Sequence, residues 1–316
     1  MNKIVVTDGY TLNPGDLSWK QIETLGQLTV YDRTKPNEII DRCKEAAIVL
    51  TNKVPFNEAT LAQLPNLKMI GVTATGYNII DVQAATKKGI VVSNVPAYGT
   101  ASVAQHTIAL LLELTNQVGK HAASVAAGGW VKSPDFSYQL SPVTELAGKT
   151  LGIVGWGNIG QQTARIAQAL GMEILYYTPS KKENAFAPWA SLPDLFAKSD
   201  FISLHCPLKP ENTGFVNNQL IGVMKPSACI INTSRGPLIN EQHLADALNS
   251  HRIAGAALDV LSTEPPPADN PLLAAKNCII TPHNAWISKE ARQRVMDTTI
   301  KNVAGYINNR PVNIVN

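Results

Sequence analysis

The sequence lacks the features that define membrane, secreted and nucleic-acid-binding proteins. No apolar run approaches the roughly 20 residues needed to span a bilayer. The apolar run at the N-terminus stops at Asp8, too soon for a signal peptide. No block of like charges accompanies the net charge of +3. We therefore expect neither a nucleic-acid nor a membrane partner.

Metal-ligand spacing is missing as well. The four cysteines are far apart in the sequence and form neither a CxxC pair nor a Cys/His ligand pattern. This distribution predicts buried free thiols, a reducing cytoplasmic compartment and no metal site. The cysteines are Cys43, Cys206, Cys229 and Cys278.

What the sequence does contain is a regular alternation of short Val- and Ile-rich runs with helix-length segments. The chain has 316 residues, of which 45% are hydrophobic and 16% charged, typical of a soluble globular protein with two domains. The alternation predicts an α/β fold with two doubly wound parallel-sheet units, each sheet covered on both faces. The first series of strands is "KIVVTD", "LTVYD", "AAIVLTN", "LKMIGVTA" and "GIVVSN"; the second is "TLGIVG", "EILYYT", "FISLHC", "ACIINTS", "IAGAALDV" and "CIITPH".

Two long helices frame the second series. Residues 100–128 form the longest helical candidate, which we expect to stop at the Gly128–Gly129 pair. The last helix is expected over about 288–309. It could return to the first unit, which would make the second unit an insertion, but periodicity leaves this open.

The stretch "GIVGWGNIG" fits the dinucleotide-binding pattern G-x-G-x-x-G between a strand and a helix. Gly155 permits the tight turn, Gly157 lets backbone approach a pyrophosphate, and Gly160 allows close helix–strand packing. Asn158 and Ile159 open the helix, whose free N–H groups meet the negative charge. We therefore predict dinucleotide binding over the alternative of a simple glycine turn in a sheet.

The segment that should bind the ribose has no carboxylate. An NAD site expects Asp or Glu about 20 residues after the glycines, but the strand "EILYYT" ends at Thr178. Ser180, Lys181 and Lys182 follow and could bind a 2′-phosphate, although two loop lysines could also be simply solvated. The cofactor is predicted as NADP(H) or NAD(H), with a slight preference for NADP(H).

Three strand ends of the second series carry groups suited to carbonyl reduction, which needs a proton donor and a substrate clamp. Arg235 in "INTSRG" has a planar fork that matches a carboxylate. His283 in "TPHNAW" titrates near working pH, and "ALDVLSTEPPP" carries Asp259 and Glu264. A carboxylate bonded to His283 would stabilise its imidazolium. His106 lies within a helical pattern, and we interpret it as structural.

These motifs, in this order, resemble the D-isomer-specific 2-hydroxyacid dehydrogenases essentially from end to end. The match includes "GVTATGYNIID", "LAGKTLGIVGWGNIG", "INTSRGPLINEQHLADAL", "GAALDVLSTEPPP" and "ITPHNAWIS". Within the family, "TNKVP", "ATGYNIID" and "TPHNAWISKEA" are most similar to the glycerate dehydrogenase, or hydroxypyruvate reductase, branch. One departure is that Thr178 stands where the family has its NAD-type aspartate.

The resemblance implies a flavodoxin-like substrate-binding domain formed by residues 1–98 and 285–316, with an inserted Rossmann nucleotide-binding domain over 99–284 and the site in the cleft. It also implies a homodimer formed through about 100–145. The substrate is then a small 2-keto or 2-hydroxy acid. The implied roles are acid/base catalysis by His283 with Glu264 as partner, a substrate clamp at Arg235, substrate-carboxylate binding by backbone at Thr75 and Gly76, and nicotinamide binding near Cys206, Pro207, Thr233, Ser234 and Asp259.

Two other functions stay open. The same residues would serve a glyoxylate reductase or a broad 2-keto acid reductase. These enzymes would differ from a glycerate dehydrogenase in the size of the substrate pocket. A nucleotide-sensing binding protein of the corepressor type shares this fold and these motifs. Arg235, Glu264 and His283 together favour an enzyme over a binding protein.

Overall fold

The computed structural model describes residues 2–183 and 185–316. The chain divides into two compact units, one formed by Met1–Gly99 with Ile287–Asn316 and the other by Thr100–Trp286. The first unit thus collects both ends of the chain. Each unit contains one parallel sheet with helices, which confirms the predicted fold class. The roles predicted for 1–98 with 285–316 and for 99–284 stay predictions.

The first unit contains a five-stranded parallel sheet in the order β2-β1-β3-β4-β5, the flavodoxin-like order. All five strands of the first predicted series are present. The strands are β1 (Lys3–Val6), β2 (Gln27–Val30), β3 (Ile48–Thr51), β4 (Met69–Val72) and β5 (Val91–Ser93). The α-helices are α1 (Lys20–Glu23), α2 (Ile39–Cys43), α3 (Glu58–Ala62), α4 (Val82–Lys87) and, from the C-terminal part of the chain, α11 (Lys289–Ile307).

Both faces of this sheet are buried at its inner strands, which explains why β3 and β4 are almost wholly apolar. Along β1, Val5 packs into one core cluster with α2 and α3, whereas Ile4 and Val6 point to the opposite cluster. The second cluster also contains Val295 and Met296 of α11. The chain then extends to the edge strand β5, where the amide of Val315 donates a 2.9 Å hydrogen bond to the carbonyl of Val92.

The second unit contains a six-stranded parallel sheet in the order β11-β10-β9-β8-β6-β7, with all six strands of the second predicted series. The strands are β6 (Thr150–Val154), β7 (Glu173–Tyr177), β8 (Phe201–Leu204), β9 (Cys229–Asn232), β10 (Gly255–Leu258) and β11 (Cys278–Ile280). The α-helices are α5 (Thr100–Asn116), α6 (Val118–Ala126), α7 (Asn158–Ala169), α8 (Leu192–Lys198), α9 (Asn218–Val223) and α10 (Glu241–Asn249).

The prediction of one continuous helix over 100–128 is wrong. Gln117 adopts a left-handed conformation with φ of +48° and separates α5 from α6, which ends at Ala126. The amide of Thr144 donates to the carbonyl of Thr115 and so binds the last turn of α5. Neither Gln117 nor its neighbours Asn116 and Val118 is a glycine or a proline.

All four cysteines are free, as predicted, and burial suppresses their ionisation. It raises the pKa of Cys206 to about 11. It raises the pKa of Cys43, Cys229 and Cys278 to about 12.

Across the described residues, no helix combines the length and apolar character needed to cross a membrane.

Candidate active site

The glycine loop joins β6 to α7 at the point where the strand order reverses, between β6 and β8. Gly155 has φ of +103°, a region that favours glycine. A Cβ at this position would lie 2.5 Å from the carbonyl oxygen of His205, in the loop after β8. A Cβ at Gly160 would lie 2.2 Å from the carbonyl oxygen of Gly155. Glycine is therefore required at both positions by backbone contact.

Gly157 has a different reason to be glycine. Its φ of −83° is open to any residue, and a Cβ there would meet no protein atom within 4 Å. It caps α7 without a side-chain hydrogen bond, and the first intrahelical bond runs from Gln161 to Gly157. The amides of Asn158, Ile159 and Gly160 therefore have no intrahelical acceptor. This open, donor-rich cradle fits a pyrophosphate.

A cavity of about 390 Å³ extends from this loop along the carboxyl ends of β6, β7 and β8. It brings together four predicted cofactor residues, Gly155, Thr178, Cys206 and Pro207. The sequence prediction missed eight lining residues, for which the only signal was their position near neighbouring strand ends. These are Val154, Tyr177, Pro179, Leu192, Lys209, Glu211, Asn212 and Phe215.

The segment after β7 is held by hydrogen bonds between side-chain hydroxyls and its backbone. The hydroxyl of Thr178 donates to the carbonyl of Ser180 at 2.7 Å, and the hydroxyl of Tyr176 accepts from the amide of Lys182 at 2.9 Å. Lys181 and Lys182 are exposed. Among the described residues neither lysine forms an ion pair.

Asp259 organises the turn that carries His283. It is buried, and its carboxylate accepts hydrogen bonds from the hydroxyl of Thr281 at 2.6 Å and from the amides of Asn284 and Ala285 at 2.9 Å. These bonds flank His283, which has φ of +52°. A non-glycine residue in this region is strained, so the carboxylate holds a turn that the chain would otherwise disfavour.

Glu264 contacts the imidazole directly. Its Oε2 lies 2.6 Å from Nδ1 of His283, and its Oε1 accepts from the amide of Leu261 at 3.0 Å. Because an ionised carboxylate only accepts, Nδ1 of His283 carries a proton and donates. The other ring nitrogen, Nε2, is therefore available to exchange a proton with a bound molecule. Asp259 and Glu264 lie in one segment of the sequence, but their side chains have different partners in the fold. Asp259 binds the backbone and the threonine around His283, whereas Glu264 binds the imidazole itself.

Arg235 lies in the loop after β9, next to the loop that carries Glu264. Its side chain is exposed, and Nη1 donates to the carbonyl of Ser234 at 2.7 Å. A Cβ at the next residue, Gly236, would lie 1.9 Å from the carbonyl carbon of Leu261. Only glycine allows this approach of the two loops. Ser234 also reaches the loop after β8, because its hydroxyl donates to the carbonyl of Cys206 at 2.9 Å.

Thr75 and Gly76 belong to the first unit, in the loop after β4. The hydroxyl of Thr75 donates to the carbonyl of Val95 at 2.8 Å, and its carbonyl accepts from the side chain of Asn94 at 2.8 Å. Among the described residues, no group accepts a hydrogen bond from the amides of Thr75 and Gly76.

Comparison with known proteins identifies the family of this chain. Residues 108–285, more than half of the chain, match the family model described as the D-isomer specific 2-hydroxyacid dehydrogenase, NAD binding domain. The chain belongs to the D-isomer-specific 2-hydroxyacid dehydrogenase family. This dehydrogenase is an oxidoreductase that acts on CH–OH with a nicotinamide cofactor.

Relatives of this dehydrogenase match over nearly its whole length. It is 52% identical to a hydroxypyruvate reductase of Blautia hydrogenotrophica, with 99% of each chain covered. It is 38% identical to a glycerate dehydrogenase of Methylorubrum extorquens, over 99% of this chain and 98% of the other. Among solved structures, it is similar to an acyclic imino acid reductase in complex with NADPH and D-Arg. That match has a TM-score of 0.86 and 31% identity, and covers 99% of this chain and 100% of the other.

Proposed function

We propose that this dehydrogenase is a hydroxypyruvate reductase, which converts hydroxypyruvate to D-glycerate. The observation that carries the proposal is the His283–Glu264 pair, at the same edge of the sheet as the glycine loop. The 52% identity to a hydroxypyruvate reductase over the whole chain supports the choice of substrate. The second unit is assigned to the nucleotide and the first to the substrate.

His283 acts as the proton donor in reduction. Its Nδ1 donates to Glu264, which leaves Nε2–H of the imidazolium to protonate the substrate oxygen at C2. The negative charge of Glu264 stabilises this doubly protonated ring and holds its orientation. In the reverse direction, the neutral ring accepts the hydroxyl proton at Nε2.

Arg235 binds the substrate carboxylate. Its planar guanidinium offers two parallel N–H donors that match a carboxylate, whereas a lysine offers a point charge. The hydrogen bond from Nη1 to the carbonyl of Ser234 restrains the side chain of Arg235. From the first unit we assign the amides of Thr75 and Gly76 to the same carboxylate.

The glycine loop and the 390 Å³ cavity beside it would hold the cofactor. When bound, the nicotinamide supplies the hydride that is added to C2 of the keto acid. The amides of Asn158, Ile159 and Gly160 would hold the pyrophosphate. The nicotinamide end would be held near Cys206, Pro207, Thr233, Ser234 and Asp259. The missing carboxylate at Thr178, with Ser180 and the exposed Lys181 and Lys182, favours NADP(H) over NAD(H).

The working form is assigned as a homodimer. Large apolar side chains are exposed between residues 118 and 143, with Val131 at 90% and Phe136 at 91% of full exposure. Such a patch is typical of a protein–protein interface.

The four free thiols, whose pKa values are raised by burial, favour a reducing compartment such as the cytoplasm.

The test is a comparison of initial rates of NADH and NADPH oxidation with hydroxypyruvate, glyoxylate and pyruvate. We expect the highest kcat/KM for hydroxypyruvate, with NADPH ahead of NADH. A higher kcat/KM for glyoxylate would replace the proposed substrate. Turnover of no keto acid with either cofactor would support a nucleotide-sensing binding protein instead.

A further inference from the structure

Three polar side chains in the N-terminal half of α5 bind the loops that carry the proposed catalytic residues. Ser102 and His106 are four residues apart and share one face of the helix, and Thr107 is rotated from His106 by about 100°. The hydroxyl of Ser102 donates to the carbonyl of Ala285 at 2.7 Å. His106 Nε2 lies 3.1 Å from the hydroxyl of Thr281, and the hydroxyl of Thr107 lies 3.0 Å from that of Thr233.

The hydrogen-bond directions in this network are determined by the acceptors. The single hydroxyl proton of Thr281 is donated to the carboxylate of Asp259 at 2.6 Å. Thr281 must then accept from His106, which fixes the proton of that imidazole on Nε2. The hydroxyl proton of Thr107 is donated to the carbonyl of Val103 at 2.8 Å. Thr107 therefore accepts from Thr233.

These bonds connect one helix to both site loops. Ser102 and His106 bind the two ends of the turn that carries His283, at Ala285 and Thr281. Thr107 binds the loop that carries Arg235, at Thr233. The turn at His283 has a strained backbone and is otherwise held by Asp259, so its position depends on these few polar contacts.

We propose that Ser102, His106 and Thr107 are positioning residues that set where His283 and Arg235 stand relative to each other. The helix acts as a common support for the proton donor and the substrate clamp. This inference rests on the proposed roles of His283 and Arg235, and it extends them to residues that act through the two loops. His106 thus has a role in turnover beyond the structural one that its helical pattern suggested.

The most direct test removes the hydroxyl of Thr107 without changing the volume of the side chain. Thr107→Val is compared with Thr115→Val, a matched control: Thr115 is also buried in α5, but its hydroxyl bonds only carbonyls of its own helix. We expect Thr107→Val to lower kcat/KM for hydroxypyruvate about tenfold, the effect of one buried hydrogen bond. Thr115→Val should lower it less than twofold. Equal activity of the two variants, each folded, would overturn the proposal.

A second variant pair tests the other loop. His106→Leu should lower kcat about tenfold or more, while His106→Gln, which keeps an N–H donor, should recover most of the loss. Thr281→Val should lower kcat at least as much, because it removes the hydrogen bond to Asp259 as well as the one to His106. Adding His106→Leu to Thr281→Val should lower kcat little further, since the contact between the two side chains is already lost. Dissociation constants of NADH and NADPH should change less than twofold. A fall in Tm with unchanged kcat in His106→Leu would assign His106 to stability alone and contradict the proposal.

The wild-type rate, measured in the same assay, separates the two proposals. Absence of wild-type turnover with every keto acid and both cofactors contradicts the proposed function itself. Normal wild-type turnover with unaffected Thr107→Val and His106→Leu contradicts only the positioning role.

Discussion

The Nδ1 atom of His283 lies 2.6 Å from the Oε2 atom of Glu264, although the two residues are 19 positions apart. The contact spans the loops that follow β10 and β11, which are neighbours in the sheet. Parallel strands bring their carboxyl ends to one edge, so each strand end needs to contribute only one group. The same edge carries Arg235 after β9 and the glycine loop after β6.

Glu264→Gln should remove the negative charge beside His283 and weaken the hydrogen bond that orients its imidazole. The carboxylate accepts from both His283 and the amide of Leu261, and Gln has a single carbonyl oxygen for these two donors. We expect kcat for hydroxypyruvate reduction to fall about 100-fold, the upper range for a hydrogen bond to a charged group. Glu58→Gln, at an exposed position of α3, is the control. A kcat within twofold of wild type would remove Glu264 from the mechanism.

Arg235→Lys should impair use of the substrate while leaving cofactor binding intact. Lysine retains the charge but cannot form two parallel hydrogen bonds to a carboxylate. We expect kcat/KM to fall about 10- to 100-fold, and Arg310→Lys, on the exposed C-terminal segment, to have no effect. If steady-state kinetics with hydroxypyruvate gave a near-normal KM and kcat, the clamp would have to be another residue.

Gly157→Ala should separate cofactor binding from stability. A Cβ at this position meets no protein atom within 4 Å, and φ is −83°, so the fold accommodates alanine. The methyl group would occupy the side of the loop that faces a pyrophosphate. We expect an unchanged Tm and dissociation constants for NADH and NADPH at least about tenfold higher, or 1.4 kcal/mol. Gly222→Ala is a control with equally open space. Unchanged cofactor affinity in Gly157→Ala would mean that the pyrophosphate lies elsewhere.

His205 should make the protein less stable in mild acid. Burial lowers the pKa of His205 to about 3, and its Nε2 lies 2.8 Å from the hydroxyl of Ser203. Below its ordinary pKa of about 6.5, the unfolded chain binds a proton that the folded chain does not. The free energy of unfolding therefore falls as the pH falls from 6.5 toward 3, by up to about 1.4 kcal/mol per pH unit. Above pH 6.5 this residue has no such effect.

Urea unfolding at pH 7.5 and pH 5.0 measures this effect. Between these values, wild type should lose about 1 to 2 kcal/mol more than His205→Asn. The matched control is His251→Asn, since His251 is exposed and has φ of +58°, which asparagine tolerates. If wild type and His205→Asn lost the same free energy, His205 would not be the acid-sensitive group.

The sequence predicts best those features that depend on neighbours along the chain. The strands of the described residues follow from short apolar runs in the sequence, most of them rich in Val and Ile, and the glycine loop follows from local backbone geometry at Gly155 and Gly160. The break at Gln117 was missed because a left-handed glutamine has no signal in hydrophobic periodicity.

Contacts across the fold are less accessible to sequence reasoning. The bond from His106 to Thr281 joins positions 175 residues apart, and a histidine in a helical pattern does not identify its partner. The lining of the cofactor cavity by Lys209 and Phe215 likewise depends on which strands are neighbours. Strand order had to be known before these residues could be placed at the site.

The measurement that tests the account most directly is turnover of hydroxypyruvate by His283→Ala beside wild type, with cofactor affinity measured on the same samples. If Nε2 of His283 donates the proton, kcat should fall by about 100-fold or more, while the dissociation constants of NADH and NADPH stay within about twofold of wild type. Unchanged turnover by a folded His283→Ala that binds the cofactor would contradict the assignment of the His283–Glu264 pair as the acid/base of this dehydrogenase.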